Sequence, residues 1–136
     1  MAGNVITLIR SNRGNAMVEF ALVFPLLLLV CFGITEFGRA WMTMNILTSA
    51  AREGVRLAVV TAPNIAAVEQ RVRDVCDAAG VEPSNIDVTP PDPADPERRV
   101  SVMVETEFVV IPGRILGTFS GTIPLRTTTI MRHEGL

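Results

Sequence analysis

The 136-residue chain reads as an α+β protein. A long N-terminal transmembrane helix continues into a stalk and is followed by a second helix and a small antiparallel sheet of about three strands. Three patterns predict this. An apolar stretch from Ala16 to Ile34 is interrupted by a single acid, Glu19. Beyond it, apolar residues recur every three or four positions up to Val60, and again after Pro63, which is helical periodicity. Towards the C-terminus, Val100, Val102, Val104, Thr106 and Phe108 alternate with Ser101, Met103, Glu105 and Glu107, the period of a half-buried strand.

The first element follows a short basic leader, MAGNVITLIRSNRG, that carries no folding signal of its own. From Phe20 to Ile34 no side chain is charged, and Leu26 to Val30 are all aliphatic. A helix that crosses a bilayer needs ~20 mostly apolar residues, so the run is just long enough. Glu19 then needs a physical reason, because a carboxylate at the centre of a span costs ~2.5–3.5 kcal/mol. Cutting the chain after Gly14 supplies one: Asn15 becomes the N-terminus and Glu19 its fifth residue. The new ammonium and the carboxylate then lie one helical turn apart on one face, with the acid at the positive end of the helix dipole. They can neutralise each other within one chain or between neighbours. A glycine, four residues, a glutamate and an aromatic, here Gly14, Glu19 and Phe20, resemble a type IV prepilin processing site. The alternative is that Glu19 snorkels to the headgroups at the edge of an uncut signal anchor. Pro25 removes one backbone hydrogen bond within the run and is expected to kink it.

Charge sets the expected orientation. The first 14 residues hold Arg10 and Arg13 and no acid, so the net charge of −2 becomes −4 after Gly14. Basic residues just before the span place the N-terminus in the cytoplasm, and residues 35–136 on the outer side of the plasma membrane. The same balance gives no reason to expect a nucleic-acid partner. Cys31 falls late in the apolar run and Cys76 in the soluble part, so both are expected as small buried hydrophobes rather than a disulfide. Leu28-Leu29-Val30-Cys31 has the outline of a lipoprotein signal, but Val30 is bulkier than the small residue such a site prefers. Cys31-Phe32-Gly33 would serve as a poor secretory cut site, releasing a soluble binding domain. Against that, the helical pattern continues past Gly33 without a break.

Phe37, Trp41, Met44, Thr48, Ala51, Val55 and Ala58 form the stripe of that continuing helix, expected to pack largely on the protein's own domain. From Asn15 to Val60 a helix rises on the order of 70 Å, about twice the hydrocarbon thickness. Arg13-Gly14, Glu19-Phe20-Ala21-Leu22, Pro25 before its leucines, Glu36-Phe37-Gly38-Arg39 and Ala50-Ala51-Arg52-Glu53-Gly54-Val55-Arg56 together are similar to the N-terminal segment of the TadE-like family. Many members carry Tyr where this chain has Phe20; the aromatic character is kept. The ending Thr129-Ile130-Met131-Arg132-His133-Glu134 also resembles the way TadE-like chains finish.

That resemblance implies a minor pilin or pseudopilin of the tight adherence (Tad) machine, which assembles Flp-type pili for surface attachment and biofilm formation. It implies cleavage by a prepilin peptidase at Gly14 and Asn15, with Glu19 and Phe20 serving recognition and assembly. The implied partners are the lipid bilayer, the prepilin peptidase, other Tad pilins and pseudopilins, and inner-membrane platform proteins. The implied organisation is a leader at 1–14, a transmembrane helix at 15–35, a stalk at 36–61 and an extracytoplasmic, periplasmic domain at 62–136.

In that domain, Ile65, Val68, Val72, Val75, Cys76 and Ala79 keep a helical period, with Gly80 as its C-cap and Glu69, Arg71, Arg73, Asp74 and Asp77 on the wet side. The helix is expected to pack on the stalk. Asn85–Thr89 reads as a short strand. Pro90, Pro91, Pro93 and Pro96 mark a stiff loop whose acids, Asp92, Asp95 and Glu97, have the spacing of no calcium-loop motif and are expected as a solvated turn. Residues 111–121 form a Pro/Gly-bounded connection with a helical turn expected at Arg114–Leu116. A last strand runs from Ile123 to about Arg132, where Pro124 suits an edge or a strand start.

No catalytic set emerges. His133 is the one histidine, near a terminus; there is no CxxC, HExxH or glycine-rich phosphate loop. Neither a metal nor a cofactor is implied, and the Gly14 site makes the protein a peptidase's substrate rather than an enzyme.

Overall fold

The computed structural model describes residues 12–60, 64–92, 94–111 and 121–132. The leader up to Ser11, Pro63, Pro93, the helical turn expected at Arg114–Leu116 and the C-terminal His133-Glu134 lie outside them. The order of elements is α1 (Asn12–Val60), α2 (Ile65–Ala78), β1 (Asn85–Thr89), β2 (Arg99–Val109) and β3 (Thr122–Arg132). By its contacts the chain divides into two units, Met1–Thr35 and Glu36–Leu136.

Helix α1 has 49 residues and continues through Pro25. Its described part opens at Asn12, three residues before Asn15, so the helix already runs across the expected processing point. The expected start marked a processing point, not a folding signal. From Gly14 to Thr35 every residue is exposed, including Phe20, Leu22, Leu26, Leu29 and Ile34. Within this stretch no apolar side chain has a protein core to enter. Such a run is stable only where lipid or another protein replaces water. Among the described residues this is the one helix long and apolar enough to cross a membrane.

In the Glu36–Leu136 unit, α2 is bounded by chemistry the sequence carries. The Asn64 side chain accepts a hydrogen bond from the Ala67 backbone N–H at 3.4 Å, satisfying one of the orphan donors of the first turn. At the other end the cap is Ala79, and Gly80 takes the next position with φ of 70°. Val81 N–H donates to Cys76 O and Gly80 N–H to Asp77 O, both at 3.0 Å, which is a Schellman closure. Gly80 is thus the left-handed residue beyond the cap rather than the cap itself. Val68, Val72 and Cys76 are buried as expected, whereas Ile65 and Ala79, at the two ends, are exposed.

The sheet is antiparallel in the order β1-β2-β3. Val88 pairs with Val102, and Val102 with Thr129, so the same face carries the apolar residues of all three strands. Val100, Val102, Val104, Thr106 and Phe108 of β2 are buried and their alternates are not. β3 is an edge strand, half-buried only at Leu125, Thr127 and Thr129, and it accommodates Pro124 opposite Glu107. One core joins the sheet to both helices: Leu47, Ala50, Ala51, Val55 and Ala58 of α1, Val68, Val72 and Cys76 of α2, and Val88, Val100, Val102 and Val104.

This core corrects the expected stripe. Ala51, Val55 and Ala58 are buried, but Phe37 and Trp41 are 70% and 63% exposed. The buried face of α1 is centred instead on Leu47, Ala50, Ala51, Gly54, Val55 and Ala58. Small residues let α2 and the sheet approach the helix there, whereas Phe37 and Trp41 stay largely outside the contact.

Candidate functional site

The residues singled out for processing and assembly occupy the first four turns of α1. Gly14 lies in the opening turn, and the space a side chain would take there is free of other atoms. Asn15 and Glu19 are four residues apart in continuous helix and so lie on one face. Phe20 stacks on Phe24, ring centroids 5.2 Å apart and planes at 28°, one turn before Pro25. Glu19 and Phe20 are both exposed. Among the described residues no basic side chain pairs with Glu19.

Because α1 is already helical at Asn12, Glu19 lies about two turns or more inside it. Dipole stabilisation fades beyond the first turn. In the chain with its leader, Glu19 therefore gains little from the dipole; removing residues 1–14 would bring it near the helix end.

The second set of polar contacts surrounds the exit from the apolar run. Arg39 forms an ion pair with Glu36 at 2.8 Å, and its guanidinium lies over the Phe108 ring, 5.0 Å from the centroid. Thr35 Oγ1 donates to Cys31 O at 2.6 Å, and Thr43 Oγ1 to Arg39 O at 3.0 Å, so both hydroxyls are satisfied within the helix. Phe37 and Trp41 stack with centroids 6.3 Å apart on a different side of the helix from Arg39. Their i,i+4 spacing was visible in the sequence; their exposure was not.

The acidic proline loop is a self-satisfied turn. Asp92 Oδ1 accepts from Ala94 N–H at 2.8 Å and Asp95 Oδ1 from Glu97 N–H at 3.0 Å, while Asp95 Oδ2 accepts from Arg99 Nε at 3.0 Å. These bonds hold the Asp95 carboxyl below the usual carboxylate range, the Glu97 backbone first and Arg99 next. Arg98 takes a φ of 44° to close the turn. Both cysteines are free thiols; Cys76 is buried, whereas Cys31, expected to be buried, is exposed on the apolar run. Among the described residues no three His, Cys, Asp or Glu side chains converge as a metal site would require.

A family model described as TadE-like protein matches residues 14–56, the stretch whose motifs carry the resemblance. The match begins at Gly14 and ends within the buried face of α1, leaving α2 and the sheet outside it. No curated protein and no solved structure matches the chain.

Proposed function

We propose that this chain, TadE-like over residues 14–56, is a minor pilin or pseudopilin that a prepilin peptidase cuts after Gly14 and that then acts in assembly of Flp-type Tad pili. The observation that carries the reading is the opening of α1. A glycine, an acid five residues on and an aromatic next to it stand at the head of an apolar helix with no cover of its own. Once cut, the Asn15 ammonium and the Glu19 carboxylate stand one turn apart, and the acid gains the helix dipole. That pair lowers the cost of holding Glu19 at membrane depth, in one chain or against a neighbouring subunit's terminus. The subunit is then a single-pass protein of the inner membrane, N-terminus inside and the Glu36–Leu136 domain outside, contributing to adhesion through the pilus it helps to build.

The test is the intact mass of the protein from native membranes with and without its prepilin peptidase. Loss of Met1–Gly14 only when the peptidase is present is the expected result; a full-length mass in both samples leaves an uncut anchor. All 12 basic residues are arginine, so the α-amine is the chain's one primary amine, and an amine-reactive tag reads the new terminus directly. Replacing Glu19→Ala is expected to impair pilus assembly, and normal pili from that variant would remove the role given to the acid.

A further inference from the structure

We infer that the outer domain rests on the bilayer itself, through Phe37 and Trp41 of α1 on one side and Val109, Ile111 and Ile123 at the neighbouring ends of β2 and β3 on another. The occupant of both surfaces is the headgroup layer of the outer leaflet. The inference rests on the membrane-anchored reading of α1, but not on cleavage or on pilus assembly.

Length is the first argument. A hydrocarbon core ~30 Å thick takes ~20 helical residues. Counted from Phe20, the residue after Glu19, that many residues reach Arg39, not Thr35. The polar groups at this level are already neutralised: Glu36 is paired with Arg39 at 2.8 Å, and the Thr35 and Thr43 hydroxyls bond to carbonyls one turn back. They can therefore lie at the edge of lipid at low cost. Phe37 and Trp41 follow, stacked and exposed, where the amphipathic indole of Trp41 settles between hydrocarbon and water.

The sheet supplies an independent observation. Arg39 lies over Phe108, which brings the end of β2 to the same level along α1. Around that end Val109, Ile111 and Ile123 are 41%, 45% and 49% exposed. Ile123 stands opposite Phe108, on the sheet face that elsewhere is core, yet nothing in the described chain covers it. Two apolar surfaces thus flank the helix at the level where the residue count places the interface.

Trp41 is the chain's one tryptophan, and there is no tyrosine, so its fluorescence reports this site alone. The full chain is reconstituted in phosphatidylcholine vesicles, floated with them, and quenched with lipids brominated at shallow or deep acyl carbons and with aqueous acrylamide. The expected result is a blue-shifted emission, strongest quenching by the shallow bromines and loss of acrylamide quenching. Floating chain with Trp41 open to acrylamide overturns the contact while leaving the anchor intact. Shielding from acrylamide without quenching by bromolipid assigns the surface to protein, the chain itself or a second copy, and also overturns it. Failure to float overturns the anchor and the contact together. Ile123→Trp in a Trp41→Phe background repeats the measurement at the sheet, where shallow-lipid quenching is again expected; free access of acrylamide there overturns the two-sided contact.

Discussion

A Cβ placed on Gly54 of α1 would stand 2.6 Å from Val72 Cγ2 of α2, with Val102 Cγ1 at 3.4 Å and Val68 Cγ1 at 3.6 Å. The glycine is buried where α1, α2 and β2 meet, and both helices approach closely because it has no side chain. Gly54→Ala sets two effects against each other. Helix propensity favours alanine by ~1 kcal/mol, whereas overpacking a filled core costs ~1–3 kcal/mol. Val72 is a short, stiff side chain with no exposed surface, so overpacking is expected to win. Gly54→Ala should lower the thermal midpoint in wild type and cost less in a Val72→Ala background, where the clashing methyl is gone. Simple additivity in that double-mutant cycle would show that the contact is not the cause.

Thr106 is the one buried polar side chain among the described residues, and its Oγ1 donates to the Glu82 backbone oxygen at 2.6 Å. That bond ties β2 to the segment between α2 and β1. Thr106→Val keeps the shape and removes the donor, so a loss of about 1 kcal/mol is expected from chemical denaturation. Unchanged stability would mean that water replaces the hydroxyl.

Arg71 on α2 holds the Glu53 carboxyl of α1 at 2.9 Å, and this hydrogen bond, with a smaller contribution from Arg56, keeps Glu53 below its ordinary range. A depressed carboxyl stabilises the fold fully above its unfolded pKa, ~4.3, and the contribution is lost as pH falls through the lower folded value. The pair is exposed to solvent, so the effect is small. Thermal melts of wild type and Glu53→Gln should differ at pH 7 and converge in acid, once Glu53 is protonated in the folded chain as well. An equal gap at both pH values would exclude the ion pair as its source.

Cys76 has no exposed surface, and burial pushes its thiol above the usual cysteine value. Thiolate is the reactive form, so the residue should resist maleimide at neutral pH and react only on unfolding. Mass analysis before and after denaturation measures this; rapid labelling of the folded chain would show that the α2 core opens readily.

Much of this architecture was legible in one dimension, because it depends on local period and local chemistry. The apolar run, the end of α1 at Val60 and the limits of β1 follow from residue type and spacing, and Gly80 marks the end of α2 because a left-handed residue was needed there. The resemblance over residues 14–56 was carried by short motifs on one helix and needed no tertiary contact. What spacing cannot say is which partner a helical face meets. Phe37, Trp41, Thr48 and Val55 share one periodic stripe, yet burial is decided by where α2 and the sheet come to rest, and that is decided by the small residues Ala50, Ala51, Gly54 and Ala58. Only long-range packing distinguishes Val55, inside the core, from Trp41, left exposed.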